Sequence, residues 1–273
     1  TMPHCLLFWR SFTHWIGGMG VLVFVMAVLP LAGGTNMYMM KAESPGPSVG
    51  KLVPRVKRTA VILYGMYVVI SILQLVFLLA GKMPVFDALV TMFGTAGTGG
   101  FGIKNDSMGS YSPYIQWVVT IFMILFGVNF NIYYLLFKRK WKAAASSTEV
   151  RVYFSIILIA IALITINILP MFSNVWTALR HAAFQVGSII TTTGFGTTDF
   201  DLWPSFSKTI LVLLMFIGAC AGSTGGGIKV SRIVILFQSI QKELDVIAHP
   251  HNVKKLKMDG RVIEHTVVRS INV

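Results

Sequence analysis

The chain has 273 residues, of which 55% are hydrophobic and 12% are charged, and its mean hydropathy is +0.71. Soluble domains carry roughly 25% charged residues, so this composition excludes an ordinary soluble protein and indicates an integral membrane protein. The net charge of +13 does not indicate nucleic-acid binding, because the basic residues lie at the ends of apolar stretches, where membrane topology explains them.

Five stretches follow one another that are long enough to cross a membrane, which takes about 20 apolar residues. They run over 11–40, 59–81, 114–137, 152–172 and 209–228. Basic clusters follow the first, third and fifth stretches, and the positive-inside rule makes that side cytoplasmic. The clusters are Lys51, Arg55, Lys57 and Arg58; Lys138, Arg139, Lys140, Lys142 and Arg151; and Lys242, Lys254, Lys255, Lys257 and Arg261. The opposite side carries Asp106, Asp199 and Asp201, which would attract cations to an outer mouth.

An internal repeat relates the second and third stretches to the fourth and fifth. Residues 97–102 (GTGGFG) recur as 191–196 (TTTGFG), 94 positions later. Each copy follows a short segment, 84–95 or 176–190, and precedes an apolar stretch. The repeat predicts units built of a span, a half-membrane helix, a Gly/Thr loop and a second span.

The two short segments are predicted to be helices that enter the membrane without crossing it. A helix of a dozen residues is roughly 18 Å long, which reaches the bilayer midplane. Pro84 suits a first helical turn, and Asn174 is a candidate N-cap. The negative ends of such helices would favour a cation at the midplane.

The Gly/Thr loops can form an ion filter from backbone carbonyls, which replace the water around a potassium ion. Alternating signs of φ turn successive carbonyls to one side, and glycine adopts positive φ at little steric cost. Gly100 and Gly102, with Gly194 and Gly196, meet that need. The predicted filter comprises Gly97, Thr98, Gly99, Gly100, Phe101, Gly102, Thr191, Thr192, Thr193, Gly194, Phe195 and Gly196. The predicted K⁺ ligands among them are Thr98, Gly99, Gly100, Thr192, Thr193 and Gly194.

The fifth stretch contains five glycines among the ten residues of 218–227. Each interior glycine costs a helix about 0.5–1 kcal/mol relative to alanine, so a broken helix is predicted there. Broken helices at the membrane midplane line binding sites or gates in transporters. The glycine patterns at 97–102 and 222–227 also imitate nucleotide-binding motifs. The first lacks a preceding strand and the second has Ile228 where a lysine is required, so no cofactor is predicted.

These motifs resemble the Trk/Ktr/HKT superfamily of potassium uptake proteins, of the TrkH type. The matching residues are 191–200, the looser 96–102, and 218–229, and the resemblance extends over nearly the whole chain. The loop of the second unit departs from the Thr-rich pattern, because Gly97 and Gly99 stand where the third unit has Thr191 and Thr193.

The resemblance implies an all-α membrane protein with four helix–pore-loop–helix units in one chain, as in potassium channels. Residues 1–50 would then be the end of a first unit and a cytoplasmic linker. Residues 51–142 would be the second unit, 143–245 the third with its broken helix, and 246–273 a linker toward a fourth. A parent chain of four units, or an assembly that supplies the rest, is therefore expected.

The resemblance further implies potassium uptake across a bacterial inner membrane, by a homodimer in contact with lipid. A cytosolic, TrkA-like nucleotide-binding subunit would dock on the basic inner loops, and the chain itself would be neither an enzyme nor a nucleic-acid binder. The glycine segment would form the gate, with residues Gly218, Gly222, Ser223, Thr224, Gly225, Gly226, Gly227 and Lys229. Lys229 would place positive charge near the ion path, or else be a lysine that snorkels from a helix end.

Three alternatives stay open on the sequence. The chain could be a non-conducting scaffold or sensor subunit, or a pore that also passes sodium, since selectivity depends on filter segments outside it. A membrane oxidoreductase would need cofactor ligands that the sequence does not display.

Overall fold

The computed structural model describes residues 2–18, 20, 56–248, 257–258 and 261–262. Most of the predicted first span, 11–40, therefore lies outside the described residues, as do Lys51, Arg55, Lys254 and Lys255 of the basic clusters. The helices are α1 His4–Gly18, α2 Val56–Ala80, α3 Val85–Ala96, α4 Pro113–Phe126, α5 Phe130–Phe137, α6 Trp141–Ala145, α7 Thr148–Ile168, α8 Val175–Ile190, α9 Ser205–Phe216 and α10 Val230–Ala248. Short 3₁₀ turns lie at Leu169–Met171 and Phe200–Leu202, and strands β1 Lys257–Met258 and β2 Arg261–Val262 form an antiparallel hairpin.

Two of the described helical segments are long and apolar enough to cross a membrane, Ala60–Ala80 and Thr148–Met171. They correspond to α2 and to α7 with the 3₁₀ turn that follows it. A third crossing is counted if α4 and α5 are taken as one bent span.

The third predicted span, 114–137, is not one straight helix. α4 and α5 meet at an angle of 91° across residues 127–129. The side chain of Asn129 caps α5 by accepting a hydrogen bond from the amide of Asn131 at 3.0 Å. A new helix thus starts in a new direction, and the amide of Phe130 bonds outside its own helix, to the carbonyl of Gly222 at 3.0 Å.

The fifth predicted span, 209–228, is also not one continuous helix. α9 ends at Phe216 and α10 begins at Val230, and we call residues 217–229 between them the glycine loop. Its two ends lie side by side, because Ile217 and Ile228 form a parallel bridge. The two breaks differ in their first residue, which is Gly127 after α4 and Ile217 after α9.

The two predicted short helices are confirmed at nearly the expected bounds. Pro84 immediately precedes α3. The predicted cap of α8 is also confirmed, because the side chain of Asn174 accepts a hydrogen bond from the amide of Trp176 at 3.0 Å.

Two hydrophobic cores hold the helices together. One lies among α1 to α5, and the other is built around α7, α8 and α9. Phe184 of α8 and Phe195, which follows α8, belong to the first core rather than to the second. These two side chains therefore join the halves of the molecule at the Gly/Thr loops.

Candidate functional site

The two Gly/Thr loops have the same backbone conformation. Thr98 and Gly100 have φ values of 50° and 66°, and Thr192 and Gly194 have φ values of 58° and 91°. The members of each equivalent pair are 94 positions apart, as in the sequence repeat. Positive φ is a genuine outlier for a β-branched residue such as threonine, so both loops contain the same strained position.

The sequence assignment of positive φ was half right. Gly100 and Gly194 adopt it, whereas Gly102 and Gly196 do not. Their place is taken by threonines that stand two residues before Gly100 and Gly194. Intrinsic glycine preference could not identify these threonines, because a β-branched residue rarely adopts positive φ.

Both loops are anchored in register on the ends of the preceding short helices. The amide of Gly99 donates to the carbonyl of Gly94 at 2.8 Å, and the amide of Thr193 donates to the carbonyl of Ser188 at 2.9 Å. The next amide in each loop lies 3.4 Å from the same carbonyl. Ser188 adds a third tie, because its hydroxyl donates to the carbonyl of Phe195 at 2.6 Å.

The loops also lie against each other. A Cβ atom at Gly100 would lie 2.8 Å from the carbonyl carbon of Gly194, so no side chain fits there. The buried ring of Phe195 packs on the first short helix, where a Cβ at Gly94 would lie 3.0 Å from its tip. The carbonyl of Gly196 accepts a hydrogen bond from the amide of Met108 at 2.9 Å.

One edge of the 191–196 loop is packed and the other is open. Thr191 and Thr193 are buried, and their hydroxyl oxygens are 2.7 Å apart. Thr192 and Gly194 are exposed, and a Cβ at Gly194 would meet no atom within 4 Å. The buried threonine hydroxyls thus brace the loop, and its free surface belongs to the residues that alternate with them.

The loop of the second unit is held by α1, which the sequence did not suggest. Phe101 is 52% exposed, and its ring stacks on His14 at a centroid distance of 5.4 Å. The guanidinium of Arg10 lies 4.9 Å from the centroid of the same ring. Arg10 also donates through Nη2 to the carbonyl of Gly102 at 3.1 Å.

The glycine loop contacts both Gly/Thr loops directly. The amide of Gly226 donates to Oγ1 of Thr192 at 2.7 Å. The hydroxyl of Thr98 donates to the carbonyl of Thr224 at 3.2 Å. The two strained threonines therefore join the glycine loop to the two Gly/Thr loops.

The glycine loop also rests on the break between α4 and α5. The amide of Cys220 donates to the carbonyl of Gly127 at 3.0 Å, and the carbonyl of Gly222 receives the amide of Phe130. Lys229 turns back into the loop, where its Nζ donates to the carbonyl of Gly225. The predicted gate residues thus lie in a segment that packs on the break between α4 and α5.

Comparison with known protein families matches residues 1–272 to the family TrkH, described as "Cation transport protein". The chain belongs to the TrkH family. A Trk system potassium uptake protein TrkH from Salmonella typhimurium is 36% identical over 278 residues, which cover 99% of this chain and 57% of that protein. The Trk system potassium uptake protein TrkG from Escherichia coli is 32% identical, with the same coverage. The chain therefore spans about half the length of these relatives.

A solved structure supports the same assignment at the level of the fold. The chain matches the crystal structure of the potassium transporter TrkH from Vibrio parahaemolyticus with a TM-score of 0.82 and 32% identity. The match covers 99% of this chain and 56% of the crystallised one. With its apolar helices, this TrkH-family chain is a multi-pass protein of the bacterial inner membrane.

Some polar groups near the Gly/Thr loops of this TrkH-family chain are exposed, whereas others, such as Gln116, His181 and Thr197, are buried. Asp106, Asp199 and Asp201 are exposed. Tyr111 donates through its hydroxyl to Asp87 at 2.8 Å, and burial and this hydrogen bond raise the pKa of Tyr111. Among the described residues, no three His, Cys, Asp or Glu side chains are grouped to hold a metal ion.

Proposed function

We propose that this chain is part of a potassium uptake protein whose filter includes the loops 97–102 and 191–196. The observation that carries the proposal is their shared conformation, with positive φ at Thr98, Gly100, Thr192 and Gly194 in one register. Two residues of positive φ that alternate with ordinary ones turn neighbouring carbonyls toward a common side, where they can replace the water around a bare cation.

The K⁺ ligands in this proposal come from Thr98, Gly99 and Gly100 and from Thr192, Thr193 and Gly194. The support for them is the open surface at Thr192 and Gly194 beside the packed one at Thr191. Phe101, Gly97 and Gly102, with Phe195 and Gly196, would complete the two filter segments. A first and a fourth unit would supply the remaining segments.

The glycine loop is proposed as the gate of this pore. Its support is the pair of hydrogen bonds that join the glycine loop to Thr98 and Thr192, near the start of each proposed filter segment. In this position it would obstruct the path of an ion that leaves the filter. Lys229, which donates to Gly225 inside the loop, would stabilise the obstructing conformation and add positive charge near the path.

The assembly proposed around this chain follows from its family. The relatives are named as parts of a "Trk system", so further subunits are expected. We propose a homodimer and a cytosolic, TrkA-like nucleotide-binding subunit that contacts the basic segment at Lys138, Arg139 and Lys140. These side chains are exposed, which leaves them available to such a partner.

The test of the proposed function is flux of rubidium, as a potassium substitute, and of sodium into vesicles that contain the full-length protein. Rubidium flux well above sodium flux is expected. Equal fluxes would overturn potassium selectivity and favour a pore for both ions. No flux of either ion, in the presence of the regulatory subunit, would favour a scaffold or sensor.

A further inference from the structure

Glu149 is a buried carboxylate in the first turn of α7, and it is only 4% exposed. A buried carboxylate is costly unless it is hydrogen-bonded, so its partners show what the structure gains from it. A glutamate in the first turn of a helix reads in sequence as an ordinary complement to the helix dipole, which is why its role was not predicted from sequence.

The partners of Glu149 lie on both sides of the glycine loop. Its Oε1 accepts hydrogen bonds from the amide of Ala221 at 2.6 Å and from the amide of Ser231 at 3.2 Å. Ala221 lies near the start of the loop and Ser231 lies in the first turn of α10, just past its end. One oxygen atom therefore ties the entry of the loop to the helix that leaves it.

The second oxygen extends this connection to the break between α4 and α5. Oε2 of Glu149 accepts from Nδ2 of Asn129 at 3.5 Å, while Oδ1 of Asn129 caps α5. The carboxylate also faces the N-terminal turn of α10, where unpaired amides give the helix a partial positive charge. Hydrogen bonds to an ionised acceptor are stronger than those between neutral groups.

We propose that Glu149 is a positioning residue that holds the glycine loop in its obstructing conformation against the two filter loops. The inference rests on the proposed gate. If the loop moves away from Thr98 and Thr192, the amide of Ala221 moves away from the carboxylate of Glu149, or the amides of Ala221 and Ser231 move apart so that one oxygen no longer accepts from both. Either movement breaks a charge-assisted bond, so the carboxylate favours the closed state over the open one.

The experiment measures rubidium and sodium flux into vesicles that contain the full-length protein without its regulatory subunit. Glu149→Gln keeps the size of the side chain and removes its charge, and we expect rubidium flux to rise about tenfold or more. The ratio of rubidium to sodium flux should stay unchanged, since Glu149 has no bond to either filter loop. Glu243→Gln is the matched control, because Glu243 is exposed on α10 and should leave flux unchanged.

A second variant keeps the inference testable if Glu149→Gln does not fold. Asn129→Asp retains the oxygen that caps α5 but sets a second carboxylate beside Glu149, so rubidium flux should again rise. In the Glu149→Gln background the same change should add little, because the two changes act on one contact.

The outcomes separate the gate inference from the proposed function. Folded variants whose rubidium flux equals that of the unaltered protein would overturn the role of Glu149. A higher flux with a lower rubidium-to-sodium ratio would also overturn it, since the filter itself would then have changed. An unaltered protein that carries no rubidium even with its regulatory subunit would instead defeat the proposed function.

Discussion

Gly100 and Gly194 both have positive φ, but only Gly100 is in close contact with other atoms. Alanine substitutions at the two positions therefore distinguish the cost of backbone strain from the cost of a steric clash. Gly194→Ala meets no atom within 4 Å, so it should cost only the conformational strain of about 1–2 kcal/mol. Gly100→Ala adds a collision with the backbone of the other loop and should cost about 1–3 kcal/mol more. Thermal unfolding of the purified full-length protein measures the difference.

Gly65→Ala in α2 is the control for this comparison, because a Cβ there also meets no atom and the backbone is helical. It should leave the unfolding midpoint unchanged or slightly higher. Equal midpoints for the Gly100 and Gly194 variants would show that the two loops are not in contact.

Phe101 and Phe195 occupy equivalent sequence positions but not equivalent environments. Phe195→Ala removes a ring that is 1% exposed and should destabilise the protein by about 3–5 kcal/mol. Phe101→Ala removes a ring that is 52% exposed and should lower the free energy of unfolding by about 1 kcal/mol. Chemical unfolding of the two variants tests this, and the reverse order would contradict the packing described for the loops.

The sequence repeat predicted which residues form the two loops, because glycine and threonine patterns are local. It did not predict how each loop is supported. Ser188 holds the 191–196 loop through its carbonyl and its hydroxyl, whereas the equivalent Gly94 holds the 97–102 loop through its carbonyl alone and leaves room for the ring of Phe195. These are two different solutions to one backbone conformation, and only three-dimensional neighbours distinguish them.

At the scale of the elements, the glycine loop joins α9 to α10 and contacts both Gly/Thr loops. Deletion of Thr224, Gly225 and Gly226 removes the part that reaches Thr98 and Thr192 but leaves the bridge between Ile217 and Ile228. Rubidium flux without the regulatory subunit should therefore increase. Rubidium flux into vesicles measures this directly.

A substitution provides the comparison for the deletion. Gly226→Ala leaves the length of the loop and its amide donor intact, and its Cβ would lie 3.3 Å from Oγ1 of Thr192. It should therefore change rubidium flux much less than the deletion does. Equal flux in the deletion variant and the unaltered protein would count against the gate.

The break between α4 and α5 shows where sequence prediction of elements fails. A single glycine, Gly127, is tolerated inside helices, and the residues around it are apolar, so a continuous span was the natural prediction. The 91° bend depends on Asn129 as a cap and on the bond from Phe130 to Gly222, almost a hundred residues away. The break in the fifth span was predicted because five glycines make a helix costly without any tertiary information.

At the scale of the whole molecule, charge and apolar surface set the orientation in the membrane. Large apolar side chains on α2 and α7 are exposed, among them Val69, Ile72, Val76, Leu158, Ile159 and Ile166. In the proposed protein these faces contact lipid or the remaining units. The basic residues 138–140 lie after α5, and the acidic residues Asp199 and Asp201 follow the 191–196 loop.

Labelling with a membrane-impermeant maleimide tests this orientation in intact cells. In a Cys5→Ser background, Asp199→Cys should react from outside, and Arg139→Cys should react only after the cells are opened. Cys220 is buried and should stay silent in both preparations, which provides the internal control. Labelling of Arg139→Cys in intact cells would invert the proposed topology.

The interval from Pro113, at the start of α4, to Gly127, at its end, has a consequence for how this architecture tolerates insertions. One additional residue within α4 would advance its end by about 1.5 Å and rotate it by about 100°. The carbonyl of Gly127 would then face away from Cys220, and the hydrogen bond that holds the glycine loop on the break between α4 and α5 would be lost. The length of α4 is therefore under angular constraint, whereas the connection after Phe137 can vary in length without rotating the carbonyl of Gly127. The connection at 103–112 lacks that freedom, because the amide of Met108 donates to the carbonyl of Gly196.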